Sequence, residues 1–272
     1  MKLGVFALTM MIAFATSTAY AQVSRAYFFK ISKDGTDSYV LGTIHSGVAL
    51  NELPANVLET LQRSKMVVGE RAWTLAEAER ELDPDSILSE IVSDRQNSRA
   101  RRLGQESREK LLTFGLPKDF VDVLRPSDEF CPFIRSYAAY QAGKSIDFEI
   151  TIYARKAGVP VEELENDSLR SKAMASANRN VCTVADLVTS NFVSAKERIA
   201  ATNKMNRDYR AAELPILPES AELRYRNERW IPRIEALHAN GSIFIFVGAS
   251  HVMQPANILE MLRARGFKIT RL

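Results

Sequence analysis

The sequence predicts an α/β protein: a central mixed sheet built from two related β–turn–α–β halves, one at each end of the chain, with a largely helical region between them. Three observations predict it. Short β-branched and aromatic runs bounded by Gly, Asp and Pro cluster near both ends. Apolar residues recur at helical spacing through most of Thr74 to Lys204. The two ends also repeat each other. Val40-Leu41-Gly42-Thr43-Ile44-His45 leads to Pro54-Ala55-Asn56-Val57-Leu58-Glu59-Thr60-Leu61 and a strand at Met66–Val68. Phe246-Val247-Gly248-Ala249-Ser250-His251 leads to Pro255-Ala256-Asn257-Ile258-Leu259-Glu260-Met261-Leu262 and a strand from Phe267. Spacing from Pro-Ala-Asn to the following strand is the same, and the first copy carries five more residues between histidine and proline. Duplicated units of this kind suggest one sheet drawn from both ends of the chain.

Taken in order, residues 1–21 read as a secretory signal: Lys2, an apolar run from Leu3 to Thr16, then the small-x-small Ala19-Tyr20-Ala21. Cleavage after Ala21 leaves residues 22–272 as a single domain, exported to a periplasm or secreted. A hairpin follows, with Ala26–Ile31 and Ser38–Leu41 as strands around a Lys33-Asp34-Gly35-Thr36 turn. A helix spans about Pro54 to Arg63, with proline in its first turn. Met66-Val67-Val68 is a buried strand ending at Gly69-Glu70. The helical middle shows apolar periodicity in Ser86–Ser93, Ser127–Gln141, Phe148–Lys156 and Val184–Ile199. It is broken by a strand at Val159–Leu164, whose Pro160 predicts an edge or a strand start. A long helix covers about Pro218 to His238, with Pro232 as a kink. Strand Ile243–Val247, a turn, a helix at Pro255–Arg265 capped by Gly266, and strand Phe267–Leu272 close the chain.

Composition narrows the function classes. Losing Lys2 takes the formal charge from +3 to +2, and Lys and Arg are spread along helices rather than gathered in a stripe, which argues against nucleic acid as a partner. No stretch after the leader is long and apolar enough to span a membrane. The two cysteines, Cys131 and Cys182, predict a disulfide in an oxidising compartment.

Two of the three histidines, His45 and His251, occupy equivalent places, three residues past a glycine and just beyond a strand. In open α/β sheets, ligand crevices form at that end of the strands, and if the repeats lie side by side the two imidazoles converge. Two imidazoles with one carboxylate make an open metal site, and the best carboxylate is Glu70 at the end of the first repeat. Its counterpart in the second repeat is Arg271. A divalent metal so held supports hydrolysis. Packing duplicated without a metal is the competing account of both histidines, and Glu70 reads as easily as a solvated strand-end carboxylate. His238 reads as a cation at a helix C-terminus and Asp147 as a helix N-cap. Arg224, Arg226 and Arg229 read first as a solvated helix face, beside Asn227 and Trp230; the functional alternative is an arginine that stabilises an oxyanion.

These segments together resemble the TraB/GumN family, to which the Tiki-type metalloproteases belong. The resemblance rests on Tyr39–His45, the strand ending in Glu70, Asp147 ahead of Gly158-Val159-Pro160-Val161, Leu164-Glu165, Arg226–Pro232 and Phe246–His251. It implies a fold akin to erythromycin-esterase and ChaN-like proteins and a divalent-metal site on His45, Glu70 and His251, with manganese, cobalt or zinc as the ion. It further implies that Glu165, Arg226 and Asn227 belong to the catalytic site. Val252-Met253-Gln254-Pro255 departs from the leucine and glycine common there, so the second turn should differ in shape. The expectation is an exported metal-dependent hydrolase, a peptidase acting on a peptide or small molecule. The competing readings are a non-catalytic protein that binds peptide, metal or haem in the same crevice, and a scaffold whose turns serve packing only.

Overall fold

The computed structural model describes residues 23, 26–95, 102–128, 145–176, 183–189 and 195–272. The expected signal segment 1–21, both cysteines with their expected bridge, and most of the helical pattern at Ser127–Gln141 lie outside these residues.

β1 (Tyr27–Lys33) and β2 (Thr36–Thr43) form the hairpin, running from Tyr27 opposite Gly42 to Lys33 opposite Thr36. Asp34 and Gly35, at φ 50° and 78°, make its two-residue turn, the conformation that suits Asp-Gly and matches strand twist. α1 (Ala55–Arg63) leads into β3 (Met66–Gly69). α2 (Leu75–Glu81) starts with a capping box between Thr74 and Glu77. α3 (Pro84–Arg95), α4 (Gln105–Thr113) and α5 (Lys118–Val123) follow. α6 (Ile146–Lys156) precedes β4 (Val161–Glu163), and then come α7 (Asp167–Ser176), α8 (Val184–Thr189) and α9 (Ala195–Ala211). α10 (Ala221–Ala239), with Pro232 inside it, leads to β5 (Ile243–Gly248), α11 (Ser250–Met253), α12 (Ile258–Ala264) and β6 (Lys268–Arg271).

The sheet order is β4-β3-β5-β2-β1-β6. β5 lies parallel between β3 and β2, and β1 is antiparallel to both β2 and β6. The expectation that the two repeats share one sheet side by side therefore holds: Thr43 is paired with Gly248 across β2 and β5. β5 is buried at every residue, as a strand covered on both faces should be. β4 is the edge strand that Pro160 predicted, shortened to three residues.

One hydrophobic core surrounds the sheet, with Phe28, Leu41, Val67, Phe244, Phe246, Trp230 and Ile234 among its members. A second joins α3, α4, α5 and α8 through Leu88, Leu111, Phe120 and Val184.

Two expectations need correction. His251 sits not in a turn but within the short helix α11, whereas His45 lies in a bend after β2. The Pro-Ala-Asn segments also differ. Pro54 is the N-cap of α1, but Pro255 and Ala256 form a turn with Ala256 at φ 56°, and Asn257 becomes the cap, accepting from the Glu260 N–H at 2.9 Å. The helix expected from Pro255 thus begins at Ile258, because the shorter histidine-to-proline link must turn sharply before it can run back along the sheet.

Candidate functional site

The parallel pairing of β2 and β5 ends both strands at the same edge of the sheet, so the segments beyond them meet. Gly42 permits this. A Cβ there would stand 2.6 Å from Val252 Cγ2 and 3.1 Å from the Ala249 Cα, so any side chain would push α11 off the strand. Gly248 leaves space of a different kind, since a Cβ on it would lie 3.3 Å from His45 Nε2 and 3.4 Å from Glu70 Oε1. Those two groups therefore face each other across a glycine, as their places at the strand ends predicted.

His45 is oriented by α6. Its Nδ1 lies 2.8 Å from Asp147 Oδ2, and Asp147 Oδ1 accepts from the Thr43 hydroxyl at 2.5 Å. The carboxylate keeps the proton on Nδ1, which directs Nε2 into the cavity. Asp147 is thus not the N-cap that its sequence position predicts: it is the second residue of α6, Ser145 takes the cap position, and the carboxylate turns to the histidine. His251 is held the same way by a different group. Its Nδ1 is 2.6 Å from Asn227 Oδ1, and Asn227 Nδ2 donates to the Ala256 carbonyl at 2.9 Å, which sets the amide orientation and leaves Oδ1 as the acceptor. Its ring packs 4.3 Å from that of Trp230.

Arg226 ties the remaining groups together. It donates through Nε and Nη2 to Glu165 at 2.8 and 2.7 Å, through Nη2 to Glu70 Oε2 at 2.5 Å, and its Nη1 lies 3.3 Å from His251 Nε2. Glu70 Oε1 accepts from the Gly248 N–H at 2.8 Å and stands 3.7 Å from His251 Nε2. Of the three arginines expected on one helix face, Arg226 alone turns inward; Arg224 pairs with Glu219 and Arg229 covers the Tyr225 ring. Glu165 is buried and fully engaged, since Trp230 Nε1 also donates to it at 3.2 Å. It holds Arg226 rather than reaching the cavity. Asn227 likewise uses both ends of its amide, on His251 and on the Ala256 carbonyl.

The electrostatics follow from this arrangement. The Asp147 carboxylate pushes the His45 imidazole up to about 9, while burial pushes His251 down to about 4. Burial would raise Glu70, but His251, Arg226, His45 and the Gly248 N–H together hold it well below the usual carboxylate range. Burial would lower Arg226, yet Glu165 and Glu70 hold it above its ordinary value.

The cavity over these groups, about 310 Å³, is lined by His45, Glu70, Trp73, Ser145, Asp147, Phe148, Arg170, Arg226 and Phe246. Its donor set fits a divalent cation in kind, two imidazoles whose Nδ1 atoms are taken by other partners and one carboxylate, but Arg226 stands 3.3 Å from His251 Nε2 and a proton on His45 would have to leave first. It is not drawn up around one, for among the described residues no group of three His, Cys, Asp or Glu side chains stands in metal-holding geometry. Arg226 takes part of that space.

Sequence reasoning missed the partners that come from distant elements: Thr43, Trp230 in its contact with His251, and Tyr209, whose buried hydroxyl donates to the Gly42 carbonyl at 2.8 Å. Nothing in local pattern marks a tyrosine on one helix as the support of a glycine 167 residues away. Asp147 carried a signal, its place in the resemblance, that its cap position obscured. His238 is no simple dipole partner. It is buried, with Nδ1 2.8 Å from the Ser38 hydroxyl, and it ties the end of α10 to the hairpin.

A family model described as the TraB/PrgY/gumN family matches residues 27–271, nearly the whole chain. Comparisons with curated proteins and with solved structures find no match.

Proposed function

Because this chain belongs to the TraB/PrgY/gumN family, we propose that it is an exported metal-dependent hydrolase of peptide or amide bonds. In this reading His45 Nε2, His251 Nε2 and Glu70 Oε1 hold a divalent cation: manganese, cobalt or zinc. The observation that carries it is the matched pair of second partners. Asp147 on His45 and Asn227 on His251 occupy the Nδ1 of each ring and leave both Nε2 atoms on the side of Glu70, whose Oε1 is 3.7 Å from His251 Nε2 and lies with His45 Nε2 around Gly248. Second partners placed in this way are what metal-ligating histidines ordinarily have.

When bound, such a cation supplies Lewis-acid polarisation of a carbonyl and of water. The protein's own groups do the rest. Arg226, kept in place by Glu165 and Glu70, presents its Nη1 edge where negative charge would gather on a substrate oxygen. Trp73, Phe148 and Phe246 wall the cavity and keep bulk water from the carboxylates. Asp147 retains the Nδ1 proton of His45 and lowers the cost of any positive charge placed on that ring.

Metal analysis of the purified protein and of His45→Ala and His251→Ala tests the ligand set. Full occupancy in both variants would overturn it. Cleavage of a peptide library with added manganese, cobalt or zinc tests the chemistry, with turnover expected under at least one ion. A second reading, binding without turnover, is favoured by one observation: Arg226 bridges Glu70 and His251 and neutralises the cluster with no cation needed. Metal-independent peptide binding without product under any ion would select it.

A further inference from the structure

Ser145 occupies the N-cap position of α6 with extended backbone, φ −148° and ψ 117°, yet its side chain makes no capping hydrogen bond. The residue is 3% exposed, and its hydroxyl is one of three buried side-chain atoms among the described residues without a hydrogen-bond partner. Burying a hydroxyl unpaired is unfavourable, so this one needs a reason, and Ser145 lines the cavity beside His45.

Two further sources of positive potential meet it there. The Glu149 N–H makes the first bond back to the Ser145 carbonyl, and the amides of Ile146, Asp147 and Phe148 have no acceptor among the described residues. Such an uncapped first turn favours anions through both its N–H groups and its dipole. From the facing helix α7, Arg170 also lines the cavity. Its Nε stands 3.5 Å from Glu165 Oε1, a long contact, and its terminal nitrogens are unengaged among the described residues.

The acidic groups nearby, with Asp147 and Glu149 in the same first turn, are each already engaged by donors, Glu149 by the Leu50 N–H. Asp147 is taken up by Thr43 and His45, Glu70 by Arg226 and the Gly248 amide, and Glu165 by Arg226 and Trp230. Around them runs an aromatic wall, with Trp73 and Phe148 edge to face at 4.9 Å. The cavity volume, about 310 Å³, is at the small end for ligand pockets.

We propose that this cavity is a carboxylate-binding subsite in which the Ser145 hydroxyl, the first-turn amides of α6 and Arg170 hold an acid group of the ligand beside His45. Calling that ligand a substrate rests on the hydrolase reading above; the subsite itself does not. The site then selects acidic peptides or N-acyl amino acids over their neutral counterparts, and guanidinium and hydroxyl donors of this kind suit a carboxylate well.

Isothermal titration on the full chain tests it with three probes: N-acetyl-alanylphenylalanine as free acid, the same compound as its amide, and the amide of N-acetyl-alanylaspartate. The wild type should bind at least one carboxylate-bearing probe about tenfold more tightly than the neutral amide. Tighter binding of the free acid places a terminal carboxylate in the site, and tighter binding of the aspartyl amide a side-chain one. Ser145→Ala and Arg170→Gln should each bring the preference below threefold, and Ser145→Thr should restore it. Ser145→Ala should melt no lower than the wild type, because it deletes an unpaired hydroxyl; a helix cap would show a lower melting temperature instead. Equal binding of all three probes by the wild type, or a preference that survives both variants, overturns the subsite. Lack of cleavage with the preference intact removes the hydrolase reading and leaves the subsite standing. Cleavage without any acid preference does the reverse.

Discussion

His45 and His251 lie on either side of Glu70 in different surroundings, the first beside the Asp147 carboxylate and the second sealed from solvent, and these surroundings set their protonation. The Asp147 carboxylate pushes His45 up to about 9 and burial pushes His251 down to about 4, against 6.5 for either ring when unfolded. The two linkages have opposite signs. His45 binds its proton more tightly when folded, so its contribution is complete below about pH 6.5 and is lost as pH rises through 9. His251 binds its proton less tightly when folded, so its contribution is complete above about 6.5 and is lost as pH falls towards 4. Chelated protein should therefore be most stable near pH 6.5. Thermal melts across pH 4 to 9 check this: His45→Ala should flatten the alkaline limb and His251→Ala the acid one. A cation at Nε2 must displace the His45 proton, so metal affinity should climb with pH to about 9 and then level off; Asp147→Asn should move that plateau to lower pH. Arg226→Met should be far more damaging than any exposed arginine substitution. It leaves Glu70 and Glu165 buried without their cation, a loss of about 3–5 kcal/mol in urea denaturation.

At the scale of elements, the glycines that end β2 and β5 do different work. Gly42→Ala should cost about 1–3 kcal/mol, because its Cβ would meet Val252 and the backbone of α11. Gly248→Ala should fold, but its Cβ would press on His45 Nε2 and Glu70 Oε1, so metal affinity should fall roughly tenfold. Urea curves and metal titrations of the two variants separate these outcomes. The same elements show what could be read from the sequence. The repeats, their adjacency in one sheet and the convergence of His45, Glu70 and His251 follow from hydrophobic period and glycine placement, which are local. The partners of those residues come from α6, α9 and α10, more than a hundred positions from His45, and no local pattern records them. Asp147 was legible as a helix-start acid, which it is, but its choice of histidine over backbone depends on the tertiary approach of β2. The second Pro-Ala-Asn departs from the first because a three-residue link leaves Ala256 to take a positive φ, a demand that comes from the length of the connection and not from the tripeptide.

At the scale of the molecule, the sheet is closed by its late strands. β5 sits between β3 and β2 and is paired along both edges, and β6 pairs with β1 at one edge of the sheet. A fragment ending at residue 240 would leave β2 and β3 with no strand between them and their apolar residues uncovered. It should show no cooperative melt by circular dichroism, and adding a peptide spanning 241–272 should restore one. Pairing across some two hundred positions also predicts slow folding, which stopped-flow refolding of the full chain can measure. Among the described residues no helix is long and apolar enough to cross a membrane. The interleaving of β5 has one more consequence. Translation runs from one end to the other, and until the residues after 242 emerge His45 has neither its facing glycine nor its second imidazole. A half-made polypeptide therefore cannot assemble this cluster, and the order of synthesis alone delays it until the chain is nearly finished.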